Sequence, residues 1–373
     1  MKLLISAGEA SGDQHGARLL SALRKKRPDL AAFGMGGPRL RGEGLSVIVP
    51  SESLSVVGIS EVLEKLPALV RARRVLVAGA RRERPDAAIL IDFPDFHGLL
   101  ARRLARLSVP LIYYVSPQVW AWRRGRARAI ARRARRIITL FPFEAEIYKR
   151  LGADAVWAGH PLVDEVREGL AKPSPLPPRT RRRLVLLPGS RSAELRRHWT
   201  PMSRAAVALG KRLDLELIAI RAAGLPDDLF PGAAEKGITL AVSGMHALLA
   251  SADLAFVASG TATLEAALCQ TPMIVVYKTS RASAAVGRAL IRVPWISLVN
   301  IVAGEEVVPE LLQEEVSASR LENEGAALLE SPDRVRRMRD GLARVSAALG
   351  PPGGSERAAD AVLEALGKSR SGA

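Results

Sequence analysis

Short apolar runs alternate with longer amphipathic stretches along most of the chain. In the first half the runs fall at 3–6, 47–50, 87–93, 111–115, 137–140 and 155–158. Each is almost continuously hydrophobic, as expected of a strand covered on both faces. Between them, 14–26, 59–82, 95–107, 123–136 and 143–151 carry helix-like patterns. Strand and helix taking turns predicts a parallel, doubly wound sheet. The alternation restarts with runs at 184–187, 215–220, 238–242, 254–258, 273–277 and 295–299. From about 305 onward the pattern is nearly all helical, and Gly-Pro-Pro-Gly-Gly at 350–354 separates off a last helix.

The break between the two series is 171–183, where four prolines fall within six positions. Such a segment is neither helix nor central strand. The expected organisation is therefore a domain over 1–170, a linker over 171–183, a domain over 184–349 and a C-terminal helix over 350–373. Two α/β domains of similar size are expected to face one another across a cleft. The 373 residues suffice for each half to bury its own core. The one cysteine, Cys269, excludes an intramolecular disulfide and a cysteine-based zinc site.

Charge sharpens this picture. The formal net charge is +17, but residues 1–180 hold 31 basic against 17 acidic residues, a net of +14. A basic half beside a near-neutral half points to an anionic partner for the first: nucleic acid, membrane surface or phosphorylated substrate. The apolar start of the chain ends at Ser6, too short for a secretory signal. The apolar stretch 289–303 contains Arg292 and Pro294, which does not make a membrane span. A cytoplasmic protein, soluble or peripherally attached, is expected.

The chemistry-bearing residues gather where predicted strands end. Gly8-Glu9-Ala10-Ser11-Gly12-Asp13 joins the first strand to a helix expected from about Gln14. Its amides suit an anion or polar ligand, with Glu9, Ser11 and Asp13 as candidates; a tight turn capped by Ser11 or Asp13 is the plainer reading. At Ile91-Asp92-Phe93-Pro94-Asp95-Phe96, Asp92 closes an apolar run, and partial burial would raise its pKa toward that of a general base. Asp95 reads as a helix cap and His97 as a helix-surface residue. Gly159-His160-Pro161 puts His160 at a strand end, either structural or facing the cleft.

In the second half, Leu187-Pro188-Gly189-Ser190-Arg191 opens the domain as strand, glycine loop and helix. Amides of Gly189 and Ser190 can cradle a phosphate while Arg191 supplies charge. Ser259-Gly260-Thr261-Ala262-Thr263-Leu264-Glu265 repeats the arrangement: Ser259, Gly260 and Thr261 suit phosphate, and Glu265 two ribose hydroxyls. A mere turn at the first of these loops and a plain capping arrangement at the second are the alternatives, and the 8–13 loop is not a dinucleotide fingerprint, since G-x-G-x-x-G is absent there.

Two segments of the first half suit an anionic membrane surface. One is Val115-Ser116-Pro117-Gln118-Val119-Trp120-Ala121-Trp122, leading into eight arginines within 123–136, beginning with Arg123 and Arg124. Ala127, Ile130, Ala131, Ala134 and Ile137 keep a helical apolar stripe there. The other is the stripe of 54–70, with Leu66 and Leu69 as candidate membrane or acyl contacts. The alternatives are a solvated basic face and ordinary core.

Taken in order, the segments 8–13, 91–96, 115–123, 187–194, 259–265 and 297–304 resemble the family of lipid-A-disaccharide synthases along nearly the whole chain. Val-Ser-Pro-Gln-Val-Trp-Ala-Trp-Arg and Leu-Pro-Gly-Ser-Arg are the most specific. The resemblance implies a GT-B-type fold: two Rossmann-like domains, with C-terminal helices returning to the first. It implies inverting transfer of 2,3-diacylglucosamine from its UDP derivative to 2,3-diacylglucosamine 1-phosphate, forming a β-1,6 disaccharide 1-phosphate and UDP. By matching position Asp92 is the base, Arg191 and Glu265 hold the diphosphate and ribose, and Asn300 is a further functional position. His15 receives no role.

No Asp-x-Asp motif closes a strand, so a reaction needing neither metal nor cofactor is expected. The expected partners are the two acylated sugars and an anionic membrane at the inner face of the inner membrane, without nucleic acid. A homodimer is compatible with the sequence, which sets no oligomeric state. Two rival readings are another GT-B UDP-sugar enzyme, such as a UDP-N-acetylglucosamine 2-epimerase or a peptidoglycan glycosyltransferase, and a basic nucleic-acid-binding protein. The first leaves 115–123 unexplained; the second has no need of the 187–194 and 259–265 loops.

Overall fold

A computed structural model describes residues 1–53, 59–116, 124–174, 179–280 and 294–367, the side chains of 53, 59–65 and 124 aside. The chain divides into two units. The first comprises Met1–Pro161 with Pro351–Ala373, and the second Leu162–Gly350. The division falls ahead of the proline-rich segment, so the helix Leu162–Leu170 goes with the second unit, where it packs on the helices Met245–Ala250 and Thr261–Leu268. Residues 175–178 of that segment lie outside the described residues.

The first unit is built on seven strands: β1 Lys2–Ala7, β2 Ala31–Gly36, β3 Ser46–Pro50, β4 Ala87–Ile91, β5 Leu111–Tyr114, β6 Ala134–Thr139 and β7 Ala155–Trp157. Their order is β3-β2-β1-β4-β5-β6-β7, and every pairing is parallel. The second unit holds β8 Arg182–Leu187, β9 Leu215–Ile220, β10 Ile238–Ala241, β11 Leu254–Ala258, β12 Met273–Tyr277 and β13 Glu310–Leu312. Their order is β10-β9-β8-β11-β12-β13, again all parallel. Both are doubly wound Rossmann-like sheets. In each the strand order reverses beside its first strand, between β1 and β4 and between β8 and β11, and such a switch point is where these folds bind ligands.

The apolar runs explain the strands. Leu3, Leu4, Ile5 and all of Ala87–Ile91 are wholly buried, because helices cover both faces. Two strands escaped the pattern. β2 reads Ala-Ala-Phe-Gly-Met-Gly, and its Gly34 sits at φ +148° where a Cβ would fall 1.9 Å from the Ile5 carbonyl oxygen. The backbones approach too closely there for a side chain, which weakens the hydrophobic signal. β13 is a three-residue edge strand within a stretch expected to be helical.

Three other expectations are corrected. The stretch 295–299 is no strand: Ser297 caps the helix Leu298–Ala303, its hydroxyl accepting from the Asn300 amide at 3.2 Å. The basic helix stops at Ala131, and Ala134 and Ile137 belong to β6. Arg136 is therefore not on a solvated face. It is 3% exposed, held by Asp154 and Glu364 at 2.9 Å each. Finally, the first helix starts at Ala10, so Ser11 and Asp13 lie within it.

The last helix, Gly354–Gly367, packs on the helix Ala10–Lys26 and on β6 within the first unit. Arg136 donates to its Ala361 carbonyl, and Arg357 donates to the Ala158 carbonyl. The helices Ala318–Leu329 and Pro332–Ala348 stay with the second unit. No helix among the described residues is long and apolar enough to cross a membrane.

Candidate active site

In the first unit the loops after β1 and β4 meet at the switch point. Asp92 follows β4 in a left-handed conformation, φ +51°, and Phe93 repeats it at φ +50°. Two successive non-glycine residues in this region are costly and persist only where surroundings hold them. The ring of His97 holds them here. His97 Nδ1 donates to the Asp92 carbonyl at 2.5 Å, and Ser6 Oγ, from β1, lies 2.8 Å from its Nε2. A carbonyl only accepts, so the neutral ring carries its proton on Nδ1 and Ser6 donates to Nε2. Burial pushes the His97 pKa down to about 4. His97 is thus fully buried, contrary to its expected surface position, and braces the turn that presents Asp92.

The Asp92 side chain is half-buried, and its pKa is pushed up to about 6, first by desolvation and then by the negative charge of Glu9. The two switch-point loops thus bring two carboxylates within electrostatic reach. Gly8 lets them close: a Cβ there would fall 2.1 Å from the Phe93 ring. Asp95 does not cap its helix. It is an exposed first-turn residue, paired with Arg126.

Asp13 is spent structurally. Its buried carboxylate accepts from the amides of Gly37, Arg39 and Leu40 at 2.7, 3.0 and 3.2 Å, capping the helix Pro38–Gly42 from outside. Glu9, ahead of the first helix, and Ser11, in its first turn, stay accessible. His160 is buried, its ring centroid 6.0 Å from that of His15. Desolvation lowers their pKa values to about 3 and about 4.

In the second unit the loops after β8 and β11 flank the other switch point. Gly189, at φ +128°, turns the chain so that Ser190 precedes the helix Ser192–Leu213. The Glu194 carboxylate accepts from the Ser190 amide and from Arg191, both at 3.2 Å. An anion thus already occupies this helix N-terminus, as its dipole and free amides favour. Arg191 is exposed apart from this ion pair. His198, which composition did not single out, ties the loop down: its Nδ1 donates to the Pro188 carbonyl at 2.8 Å and its Nε2 accepts from the Lys278 amide at 3.0 Å.

Thr261 opens the helix Thr261–Leu268 and is exposed beside Gly260, and Glu265 follows one turn in. The Ser259 hydroxyl donates to the Ile296 carbonyl at 3.2 Å, which leaves it its acceptor lone pairs. Asn300 is fully used. Its Nδ2 donates to the Val308 carbonyl and to Glu310, and its Oδ1 accepts from the amides of Val307 and Val308, all within 3.0 Å. Glu310 in turn accepts from the amides of Ile296 and Ser297. Asn300 therefore supports the loop at Ser259 through Glu310 and the 296–297 backbone, whose Ile296 carbonyl accepts from Ser259.

Of the membrane candidates, Leu66 is 52% exposed, whereas Leu69 is half-buried against the core of the first unit. Trp120, Trp122 and Arg123, and the side chain of Arg124, lie outside the described residues.

Two Rossmann-like parallel sheets, each with polar loops at its switch point, define an α/β fold of GT-B type. Solved structures agree on the fold. The chain resembles the calicheamicin glycosyltransferase CalG4 (TM-score 0.64, 16% identity, 98% of each chain covered). It also resembles the UDP-GlcNAc 2-epimerase of Neisseria meningitidis (TM-score 0.60, 11% identity, 99% of this chain and all of the other) and MurG of Acinetobacter baumannii (TM-score 0.58, 13% identity, 97% and 99%). Sequence narrows the class. Residues 3–362 match the family profile described as lipid-A-disaccharide synthetase. The lipid-A-disaccharide synthases of Myxococcus xanthus and Geobacter sulfurreducens are 41% and 42% identical, over 99% and 98% of this chain and 98% of each relative. The chain belongs to the lipid-A-disaccharide synthetase family, and it is a glycosyltransferase of lipid A assembly.

Proposed function

We propose that the chain transfers 2,3-diacylglucosamine from its UDP derivative to the 6-hydroxyl of 2,3-diacylglucosamine 1-phosphate, with Asp92 as general base. The observation that carries this reading is the half-buried Asp92 carboxylate, with its pKa raised to about 6 beside Glu9 at a sheet switch point. A base of that pKa is mostly ionised at neutral pH and still basic enough to take a hydroxyl proton. The acceptor oxygen forms a bond to the donor's anomeric carbon as the bond to UDP breaks. The proton passes to Asp92, and UDP leaves with the bonding electrons. One displacement inverts the anomeric centre, so no covalent nucleophile is needed.

UDP leaves as an anion, and its growing charge needs preorganised donors. Arg191 and the N-termini of the helices Ser192–Leu213 and Thr261–Leu268 supply them, with the diphosphate displacing Glu194 from the Ser190 amide. Glu265 accepts from the ribose hydroxyls. Arg191→Ala and Glu265→Ala will each weaken binding of plain UDP, since a charge-assisted hydrogen bond is worth about 1.5–3 kcal/mol. Calorimetry with UDP tests the reading, and unchanged affinity in both variants overturns this nucleotide site.

The second expectation concerns the membrane. Both substrates carry acyl chains, the first half has a net charge of +14, and Leu66 is exposed on the helix Ile59–Glu83. The enzyme works as a peripheral protein on the cytoplasmic face of the inner membrane. In co-sedimentation, the full chain will bind anionic vesicles and neutral ones little. Added salt will reduce this binding, because screening contracts the Debye length to about 8 Å near 0.15 M. It will not abolish it, because burial of hydrocarbon is not a charge effect. Equal binding to neutral and anionic vesicles overturns the charge argument.

A further inference from the structure

Glu265 is held by a residue outside the phosphate loops. His246, on the short helix Met245–Ala250, places its Nε2 3.1 Å from Glu265 Oε1, and both side chains are 15% exposed. A carboxylate accepts only, so Nε2 is the donor. His246 is held on two sides. Its backbone carbonyl accepts from Cys269 Sγ at 3.5 Å, which ties the His246 position to the far end of the Glu265 helix. On the other side Gly169 makes room for the ring: a Cβ there would fall 1.9 Å from His246 Nδ1. Three helices of the second unit, Leu162–Leu170, Met245–Ala250 and Thr261–Leu268, thus pack together around the His246–Glu265 pair.

We propose that His246 is a positioning residue that orients Glu265 toward the ribose diol of the nucleotide, an inference that rests on the reading of Glu265 given above. An ionised carboxylate has about four acceptor sites. The bond to Nε2 occupies one on Oε1 and fixes the rotamer of a flexible side chain. The remaining sites then face a pair of vicinal hydroxyls without a further ordering cost, the advantage that preorganisation gives. A glutamate left to rotate still carries its charge but loses the two-point match to a diol.

The test compares UDP with 2′,3′-dideoxy-UDP by calorimetry on the full chain. The intact protein is expected to prefer UDP by about 10- to 100-fold, the worth of charge-assisted bonds to the diol, and Glu265→Gln to lose most of that preference. His246→Asn, whose amide is too short to reach Glu265, is expected to bring the preference below about 5-fold while binding dideoxy-UDP as before. His246→Gln places an amide N–H near the position of Nε2 and is expected to keep the preference. Equal preferences in the Asn and Gln variants, or a loss that falls equally on both nucleotides, overturns the positioning role. If the intact protein does not distinguish the two nucleotides, the ribose assignment of Glu265 fails first and takes this inference with it.

Discussion

Asp92→Asn will bind UDP with unchanged affinity and lose about 10²–10⁴-fold in turnover, the usual contribution of a general base. Asparagine is isosteric with the carboxylic acid, so the left-handed turn at 92–93 and the His97 bond to its carbonyl are kept. Only the proton acceptor is removed. Near wild-type turnover at saturating acceptor overturns the assignment. The pH profile adds a finer check. Asp92 must be ionised to act, so kcat/KM will rise with pH through about 6. Glu9 contributes to that elevation by like-charge repulsion. Glu9→Gln will therefore move the acidic limb to lower pH, and an unmoved limb would detach Glu9 from the base.

Stability will fall steeply as the pH drops from about 6.5 to about 4. His15, His97 and His160 are buried, and their folded pKa values lie at about 4, 4 and 3, chiefly through desolvation. The ordinary value is near 6.5, so in this window the unfolded chain binds protons that the folded chain refuses. Stability then rises with pH and is lost on acidification. At about 1.4 kcal/mol per pKa unit, each histidine accounts for roughly 3 kcal/mol by pH 4. Asp92 acts in the opposite sense. Its raised pKa gives stability that is present below about 4 and lost as pH rises through about 6, but one carboxyl opposes three imidazoles. Asp29 and Glu83, held down to about 2 by bonds to Arg27 and Lys2, lose their contribution only at lower pH. Urea midpoints at pH 7 and pH 5 check this, and equal midpoints overturn it.

The legibility of the site follows from which forces are local. Sheet class and strand positions were readable because a strand buried on both faces must be apolar along its length, as at β4 and β11. The 187–194 and 259–265 loops were readable because glycine and small hydroxyl residues between a strand and a helix are a local signature. Where local composition was set by something distant, the reading failed. β2 lost its hydrophobic signal to the close approach of Ile5 at Gly34, and Arg136, one of a run of arginines, is buried because Asp154 and Glu364 reach it from elsewhere in the chain.

The sequence by itself determined the two α/β halves, the strand-to-helix junctions around Asp92, Arg191 and Glu265, and the family resemblance. These depend on neighbours within a few residues, where periodicity and loop chemistry act. Only the tertiary structure decided how each polar side chain is used. Asp13 caps a helix 25 residues away in sequence, Asn300 spends its whole amide on the 307–310 backbone and Glu310, and His97, His198 and His246 brace the turns or the carboxylate beside them. A buried polar group must find its partners wherever the fold supplies them, and those partners lie on other elements of the chain, beyond the reach of any local pattern.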